Sequence, residues 1–475
     1  MLSLIPHLPH KSSHNFQLVA DAFLAGEGLP FSKVLSAERI HRVFAKYGAL
    51  FGLRGIYSTG VVVWAFLCQV LRDGKEASCQ AAVARVASYC QFENLEPPSA
   101  DTGNYCRARA KLPEGALHDL FVEVAEETEQ QAEGCWLWKD RHAKLVDGFT
   151  MTMPDTPENQ AEYPQLGSQK PGVGFPIARA VAILSLATAC VMDATLGPSS
   201  GKETGESALL RDILQQLKPG DVAVMDRYFC SYMMIALLQL QGTDFCGRNH
   251  HQRYSNFRRG RRLGLYDHLI TWKRPQRSTW MNEETYATIP KTLRLRELRY
   301  DIVGRGQRTR SFIIITTLTD AKQYTKDDIA ELYGFRWNAE LDIRSIKSNL
   351  NLDHVRCKSP EMVRREMWTT LLGYNLIRTT AAGAALLHGV KPREISFVAT
   401  CQYVLAFSIF MPFGLMASNE LQKRIHYLLK LIANCRVGKR PGRIEPRVIK
   451  RRRHRYQLMT KSRQELKQEL ASGKA

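Results

Sequence analysis

Between Cys135 and Phe229 the chain alternates apolar runs with turn residues in an order that few architectures accept. CWLWKDRHAKLVDGFTMTMP alternates like a strand that ends at Asp147, followed by Gly148. A polar loop, DTPENQAEYPQLGSQKPGVG, leads to two further strand-like runs, PIARAVAILSLATAC and VMDATLG. A helix over about Gly205 to Leu217 is closed by Pro219-Gly220, and DVAVMDRYF is a short apolar strand ending in Asp226 and Arg227. Three strands, a helix and a fourth strand predict a mixed sheet with at least one helix packed on it. Acids stand at the ends of the first and fourth strands.

Another 113 residues separate Asp226 from Glu340. They hold a short helix, Tyr232 to Gln241, the strand DFCGR, an arginine-rich loop, and strands around HLITWKR, RLRELRYDIV and RSFIIITTL, which together read as a β-rich insertion. Six arginines lie between Arg248 and Arg262 with no acid among them, and Tyr254 and Phe257 are interleaved. Cations alternating with stacking rings fit the tracking of a nucleic-acid backbone; a merely solvated loop is the alternative. Upstream, residues 1–30 lack periodicity and read as an arm. Helix signals run from Ser36, with Arg39, to about Glu133: Ser58 can cap VVVWAFLCQVL, and Cys79 to Tyr89 makes another helix. SADTGNYCRARAKLP begins a helix with Arg107, Arg109 and Lys111 close together, as either a DNA-binding module or a helical cap. Downstream, Pro360 to Ala385 is helical with Trp368, Leu372 and Leu376 on its apolar side, and Phe397 to Met416 is apolar. The expected division is a helical DNA-binding region 1–134, a split α/β core 135–235 and 323–385 around the insertion 236–322, and a helical and basic C-terminal region 386–475.

The charge balance narrows the partners. Among 475 residues there are 66 Lys or Arg against 46 Asp or Glu, a net charge of +20. Such an excess suits a polyanion, bound by phosphate neutralisation and counterion release. From Arg436 to Arg455 the tail holds ten Lys or Arg against Glu445 alone, so Arg451, Arg452 and Arg453 are expected DNA contacts, as are Arg258, Arg259, Arg261 and Arg262 of the loop. Eleven cysteines without a CxxC or CxH pairing read as reduced thiols, and no secretory signal opens the chain, which predicts a cytoplasmic protein. The run Val61 to Leu71 is too short to span a bilayer.

Glu331 to Arg356, ELYGFRWNAELDIRSIKSNLNLDHVR, reads as one helix running into a loop. Advancing about 100° per residue from Tyr333 puts Arg336, Glu340, Arg344 and Lys347 on one stripe. Trp337 and Leu341 border it on one side and Leu332, Ile343 and Leu350 on the other, so the flanks should draw the stripe against protein. A surface ladder Arg336–Glu340–Arg344 is the equal alternative on spacing alone. Two strand-end aspartates and a helical glutamate form a set suited to phosphoryl transfer, because two Mg²⁺ (or Mn²⁺) ions need shared carboxylates. The ordered set is Asp147, Asp226 and Glu340.

The spacing Tyr333-x₂-Arg336-x₃-Glu340-x₆-Lys347 resembles the Tyr-Arg-Glu-Lys signature of bacterial insertion-sequence transposases of the IS-four group. NLDHVRCKSPEMVRREMWTTLLGYNLIR, DGFTMTMPDTPEN, DVAVMDRYFCSY and NYCRARAKLP are similar to that group too, so the resemblance runs from about residue 35 to 455; Tyr228 departs from the glycine the family often has. The resemblance implies a ribonuclease-H-like mixed sheet interrupted by the insertion, and a DDE transposase that cleaves transposon ends and joins the 3′-hydroxyl to target DNA. It implies two Mg²⁺ or Mn²⁺ held by Asp147, Asp226 and Glu340, and phosphates gripped by Tyr333, Arg336 and Lys347, with Arg227 beside the second acid. It also implies a homodimer on paired double-stranded ends, and an insertion-domain tryptophan, Trp272 or Trp280, for a flipped base. A nuclease of the same fold that does not integrate, or a DNA-binding derivative without chemistry, are the competing readings; three converging carboxylates speak against the second. Arg344 lies outside the signature and is expected to position Glu340 by a salt bridge.

Overall fold

The computed structural model describes residues 35, 37–52, 56–92, 96–302, 310–410, 418–438 and 460–473. Ser36 and Arg451, Arg452 and Arg453 lie outside them. The chain forms two compact units: Ala132–Thr150 with Arg179–Arg344, and Met1–Gln131 with Met151–Ala178 and Ser345–Ala475.

The first of these carries the sheet. Its strands are β1 (Ala143–Thr152), β2 (Ile177–Ser185), β3 (Val191–Pro198), β4 (Val222–Met225), β5 (Asp244–Arg248), β6 (Arg261–Gly264), β7 (Asp267–Lys273), β8 (Thr292–Ile302) and β9 (Arg310–Thr316). They lie in the order β3-β2-β1-β4-β5-β9-β8-β7-β6. β1 pairs in parallel with β4, and β4 with β5. All four residues of β4, Val-Ala-Val-Met, are buried, as expected of a parallel strand covered on both faces. The helix Glu206–Asp212 packs near β3, while Tyr232–Leu240 and Lys326–Gly334 pack near β5. This is the ribonuclease-H-like α/β core. β9, β8, β7 and β6 continue the same sheet beyond β5 in antiparallel pairing. DFCGR, read above as part of the insertion, is β5 and pairs with the core strand β4.

A buried ion pair fixes the outer strands. Arg296 of β8 donates from Nε and Nη2 to both oxygens of Asp267 on β7 (2.8 and 2.6 Å) and from Nη1 to the Tyr324 carbonyl (2.5 Å). Tyr324 immediately precedes Thr325, whose hydroxyl and Asp328 close a capping box on Lys326–Gly334. The bidentate pair thereby ties the sheet extension to the start of the helix that carries Tyr333.

The other unit is helical. Pro360–His388 runs for 29 residues and is buried on nearly every side, and Thr59–Val70, Glu114–Gln130, Phe397–Phe410 and Ser418–Asn434 pack against it. Arg109 is turned inward here, its Nη1 donating to Gln69 Oε1 at 3.0 Å and its guanidinium 4.8 Å from the Phe66 ring centre. Ser58 sits at the expected helix start, but its hydroxyl makes no capping bond. Among the described residues no helix is long and apolar enough to cross a membrane.

Three local expectations are corrected. β1 begins at Ala143, not near Cys135, because Trp138 and Arg141 exchange backbone hydrogen bonds around Lys139 and Asp140, both at positive φ (48° and 59°). β1 also continues past Asp147, and what ends there is its pairing with β4, at Val146 and Met225. The single helix from Glu331 is in fact Lys326–Gly334, a tight turn at Phe335 and Arg336, Trp337–Arg344, and a π-helical turn Ser345–Asn349. At the break the Arg336 N–H bonds Tyr333 O and the Ala339 N–H bonds Arg336 O, three residues back rather than four. Trp337, expected to border the charged stripe and be drawn against protein, is 58% exposed.

Candidate active site

Because Val146 and Met225 are partners across a parallel ladder, the residues that follow them emerge at the same level. Those residues are Asp147 and Asp226. Each carboxylate is set by its own backbone: Asp147 Oδ1 accepts from the Gly148 N–H (2.9 Å) and Asp226 Oδ1 from the Arg227 N–H (2.7 Å). Asp226 also caps the 3₁₀ turn Arg227–Phe229.

Glu340 arrives from the first turn of Trp337–Arg344. Arg336, released sideways by the break before that helix, reaches both sides: Nη1 lies 3.3 Å from Asp147 Oδ2, and Nη2 bonds Glu340 Oε1. The rung Arg336–Glu340 of the anticipated ladder therefore exists, with its other end on a strand acid. Arg344 is exposed and forms no ion pair with Glu340; Arg336 does the positioning expected of it.

The electrostatics follow from burial. Burial pushes the Asp147 carboxyl up to about 6, the charges of Glu206 and Glu340 adding while Arg336 and the Gly148 N–H oppose. Burial works against the Arg336 charge, but Glu340 and Asp147 outweigh it and hold the guanidinium above its ordinary value. Tyr333 is pushed up to about 12 by burial, with Asp226 adding and Arg336 and Arg248 opposing, so its phenol keeps its proton. Its ring lies 6.5 Å from Phe312, which Arg248 covers at 4.8 Å.

Glu206, first residue of Glu206–Asp212, was not singled out from the sequence. A β-carbon on Gly148 would stand 2.5 Å from Glu206 Oε1. Burial raises its carboxyl, Asp226 adding and Arg179 opposing.

The remaining candidates are distributed. Arg227 Nε is buried without a hydrogen-bond partner. Tyr228 is 62% exposed and its backbone is not left-handed, so glycine is not needed there. Arg258, Arg259, Arg261 and Arg262 are exposed on the loop into β6 and on β6 itself, five strand steps from β4, roughly 24 Å at ~4.8 Å per step. Trp280 is covered by Arg211 (3.9 Å) of the helix that Glu206 opens, and Trp272 by Arg253 (3.5 Å). Lys347 lies on the π-helical turn of the helical unit.

Hard carboxylate oxygens are the donors that Mg²⁺ and Mn²⁺ take. Among the described residues no three acids, histidines or cysteines are gathered tightly enough to hold an ion. Between Asp147 and Glu340 lies the Arg336 guanidinium, within ion-pair distance of both carboxylates. The donor set fits a divalent ion on condition that Arg336 moves aside.

An α/β core of this strand order, with two acids level on adjacent parallel strands and a third on a later helix, is the ribonuclease-H-like arrangement. Residues 138–376 match the transposase DDE domain family, and the chain belongs to it. It is a DNA transposase. It is 26% identical over 367 residues to the transposase InsG of insertion sequence element IS4 from Escherichia coli (strain K12), which covers 75% of this chain and 78% of the relative. A shorter stretch of 65 residues is 32% identical to the transposase of insertion sequence element IS421 from Escherichia coli, 14% of this chain and 18% of that one. Among solved structures, the piggyBac transposase synaptic complex with hairpin DNA aligns with a TM-score of 0.43 at 9% identity, over 91% of this chain and 87% of that one.

Proposed function

We propose that this transposase cuts the ends of its element by divalent-metal-dependent hydrolysis and joins the freed 3′-hydroxyl to target DNA. The observation that carries the reading is the Arg336 guanidinium shared between Asp147 and Glu340, level with Asp226 on the neighbouring strand. Asp147, Asp226 and Glu340 would hold two Mg²⁺ or Mn²⁺. Once bound, the ions supply Lewis-acid polarisation of the phosphoryl group and offset charge on the attacking and leaving oxygens.

The protein's own groups do the rest. Displaced from the acids, Arg336 turns to the scissile phosphate, where a fixed cation stabilises charge that develops in the transition state. Tyr333, kept protonated, donates a hydrogen bond to a phosphate oxygen and does not act as base. Arg227, with Nε unpartnered, offers a second donor beside Asp226, and Lys347 adds a point charge. In the first step water attacks phosphorus and the P–O3′ bond breaks, leaving a 3′-hydroxyl. In the second that hydroxyl attacks a target phosphodiester and displaces its 3′-oxygen. Two ends must be paired for integration, so the working form is a homodimer on double-stranded DNA.

The test is Glu340→Ala: end cleavage in Mg²⁺ should fall at least a thousandfold while end binding changes less than fivefold. Retained cleavage would remove Glu340 from the chemistry. Pre-cut ends given to the wild-type protein with target DNA should yield joined product; their absence would favour a nuclease that does not integrate.

A further inference from the structure

The helical unit holds a cavity of about 770 Å³, within the range of sites that enclose a small organic ligand. Four cations stand in its wall, Arg72, Arg109, Arg356 and Lys358, against two carboxylates, Glu158 and Glu366. Glu366 is already engaged, its Oε2 accepting from the backbone N–H groups of Arg356 and Cys357, both at 3.0 Å. Among the described residues only Arg356 of the four cations has a carboxylate within ion-pair distance, Asp73 at 3.4 Å. Arg72 gives Nη1 to the Cys68 carbonyl at 2.8 Å, and Lys358 is exposed. Arg109 is fixed by neutral groups. Its Nη1 donates to Gln69 Oε1, which also accepts from the Tyr105 hydroxyl at 2.8 Å, while Gln69 Nε2 donates to the Ala77 carbonyl at 2.9 Å. The Phe66 and Tyr105 ring centres lie 4.8 and 5.5 Å from its guanidinium, and its Nε is buried with no hydrogen-bond partner. Such neighbours set the geometry of the cation but leave its charge without a counterion. Phe66, Val70 and Met362 give the same cavity an apolar side.

We infer that this cavity is a nucleotide site, which takes the phosphate of a nucleoside 5′-phosphate on Arg72, Arg109 and Lys358 and its sugar or base against Phe66, Val70 and Met362. A phosphate monoester is a dianion with three free acceptor oxygens, so it can meet two forked guanidinium groups and a point charge together. A carboxylate would match one arginine and leave the other cations unanswered. A duplex is too wide to enter, so the ligand is either a free mononucleotide or the 5′-phosphorylated end of a single strand. The hydrolysis proposed above leaves such an end on the strand severed from the 3′-hydroxyl. That source rests on the cleavage reading; the site itself does not.

The experiment is calorimetric titration of the full-length protein without metal. The probes are deoxyadenosine 5′-monophosphate, deoxyadenosine, and one short single strand carrying either a 5′-phosphate or a 5′-hydroxyl. The monophosphate should bind at least about tenfold more tightly than deoxyadenosine, because the charge-assisted contacts go to the phosphate. Arg72→Ala and Lys358→Ala should each weaken it by about tenfold while the melting temperature stays that of wild type. Arg109→Lys, which keeps the charge but loses the fork, should weaken it in the same direction. A 5′-phosphate advantage of about tenfold on the strand, lost in Arg72→Ala, assigns the ligand to a strand end; equal binding of the two strands beside a bound monophosphate assigns it to a free nucleotide. The inference is overturned if neither phosphorylated probe binds more tightly than its phosphate-free counterpart. It is overturned equally if folded Arg72→Ala and Lys358→Ala both bind the monophosphate within about twofold of wild type. No readout uses metal or cleavage, so Glu340→Ala, which tests the cleavage reading, should bind the monophosphate like wild type whether or not that reading stands.

Discussion

A carboxyl held near 6 in a folded protein and near 4 in an unfolded chain makes stability depend on pH with a definite sign. Asp147 is such a group. The native state binds its proton more tightly than the unfolded chain, so the contribution is complete below about pH 4 and lost as pH rises through about 6. Its full size is on the order of 2–3 kcal/mol, from ~1.4 kcal/mol for each tenfold shift in proton affinity. In metal-free protein, Asp147→Asn should therefore gain stability relative to wild type between pH 4 and 6.5 and level off above. Urea midpoints of both proteins at half-unit pH intervals check this; a difference flat across the window would mean that Asp147 is not desolvated. The two aspartates were legible because each follows the last residue of an apolar run that pairs in the central ladder. That Glu206 lies against Gly148 was not, because an acid in a first helical turn is ordinary and the glycine is 58 positions upstream.

The helices and strands show where local pattern stops being sufficient. The strand, helix and strand succession around Asp226 was readable since period and turn residues agree there. The break at Phe335 and Arg336 was not, since Gly334 costs a helix only about 1 kcal/mol and the decision falls to tertiary contacts. That break matters for the site: it frees Arg336 to reach Asp147 while Glu340 stays on the following helix. Nor could the sequence show that β8 and β7 are clasped by a buried ion pair, because Arg296 and Asp267 look like any charged residues in alternating strands. Removing one partner of such a pair leaves the other charge buried alone, at a cost of about 3–5 kcal/mol. Asp267→Ala should lose that much in chemical denaturation, and Asp267→Ala with Arg296→Met should recover a large part. Through Tyr324 the single variant should also loosen the start of Lys326–Gly334, so end cleavage should fall even where the protein remains folded. Equal losses in the single and double variants would show that the pair does not clasp the strands.

For the molecule as a whole, the question is which of its cations meet DNA at the cut and which hold it elsewhere. The chain is +20 overall, yet Arg336 is spent on carboxylates and Arg109 and Arg296 are turned into protein. The arginines left exposed near β6 lie roughly 24 Å along the sheet from β4, a separation that B-form DNA covers in about seven base pairs. A duplex engaged at the acids can therefore extend to Arg258, Arg259, Arg261 and Arg262, which would hold flanking phosphates and take no part in the chemistry. Each phosphate contact contributes about 0.9 to the slope of log affinity against log salt. Replacing all four by alanine should lower that slope by about 3–4 for end and unrelated DNA alike. It should leave the cleavage rate at saturating DNA within about threefold of wild type. Arg336→Ala should do the opposite, leaving the slope nearly unchanged and abolishing cleavage, because the role proposed for it is at the scissile phosphate. Filter binding from 50 to 300 mM salt beside single-turnover cleavage separates the two behaviours. An unchanged slope in the quadruple variant would show that the β6 arginines do not touch DNA, and would shift the flanking contact to other basic segments, Arg451 to Arg453 first among them.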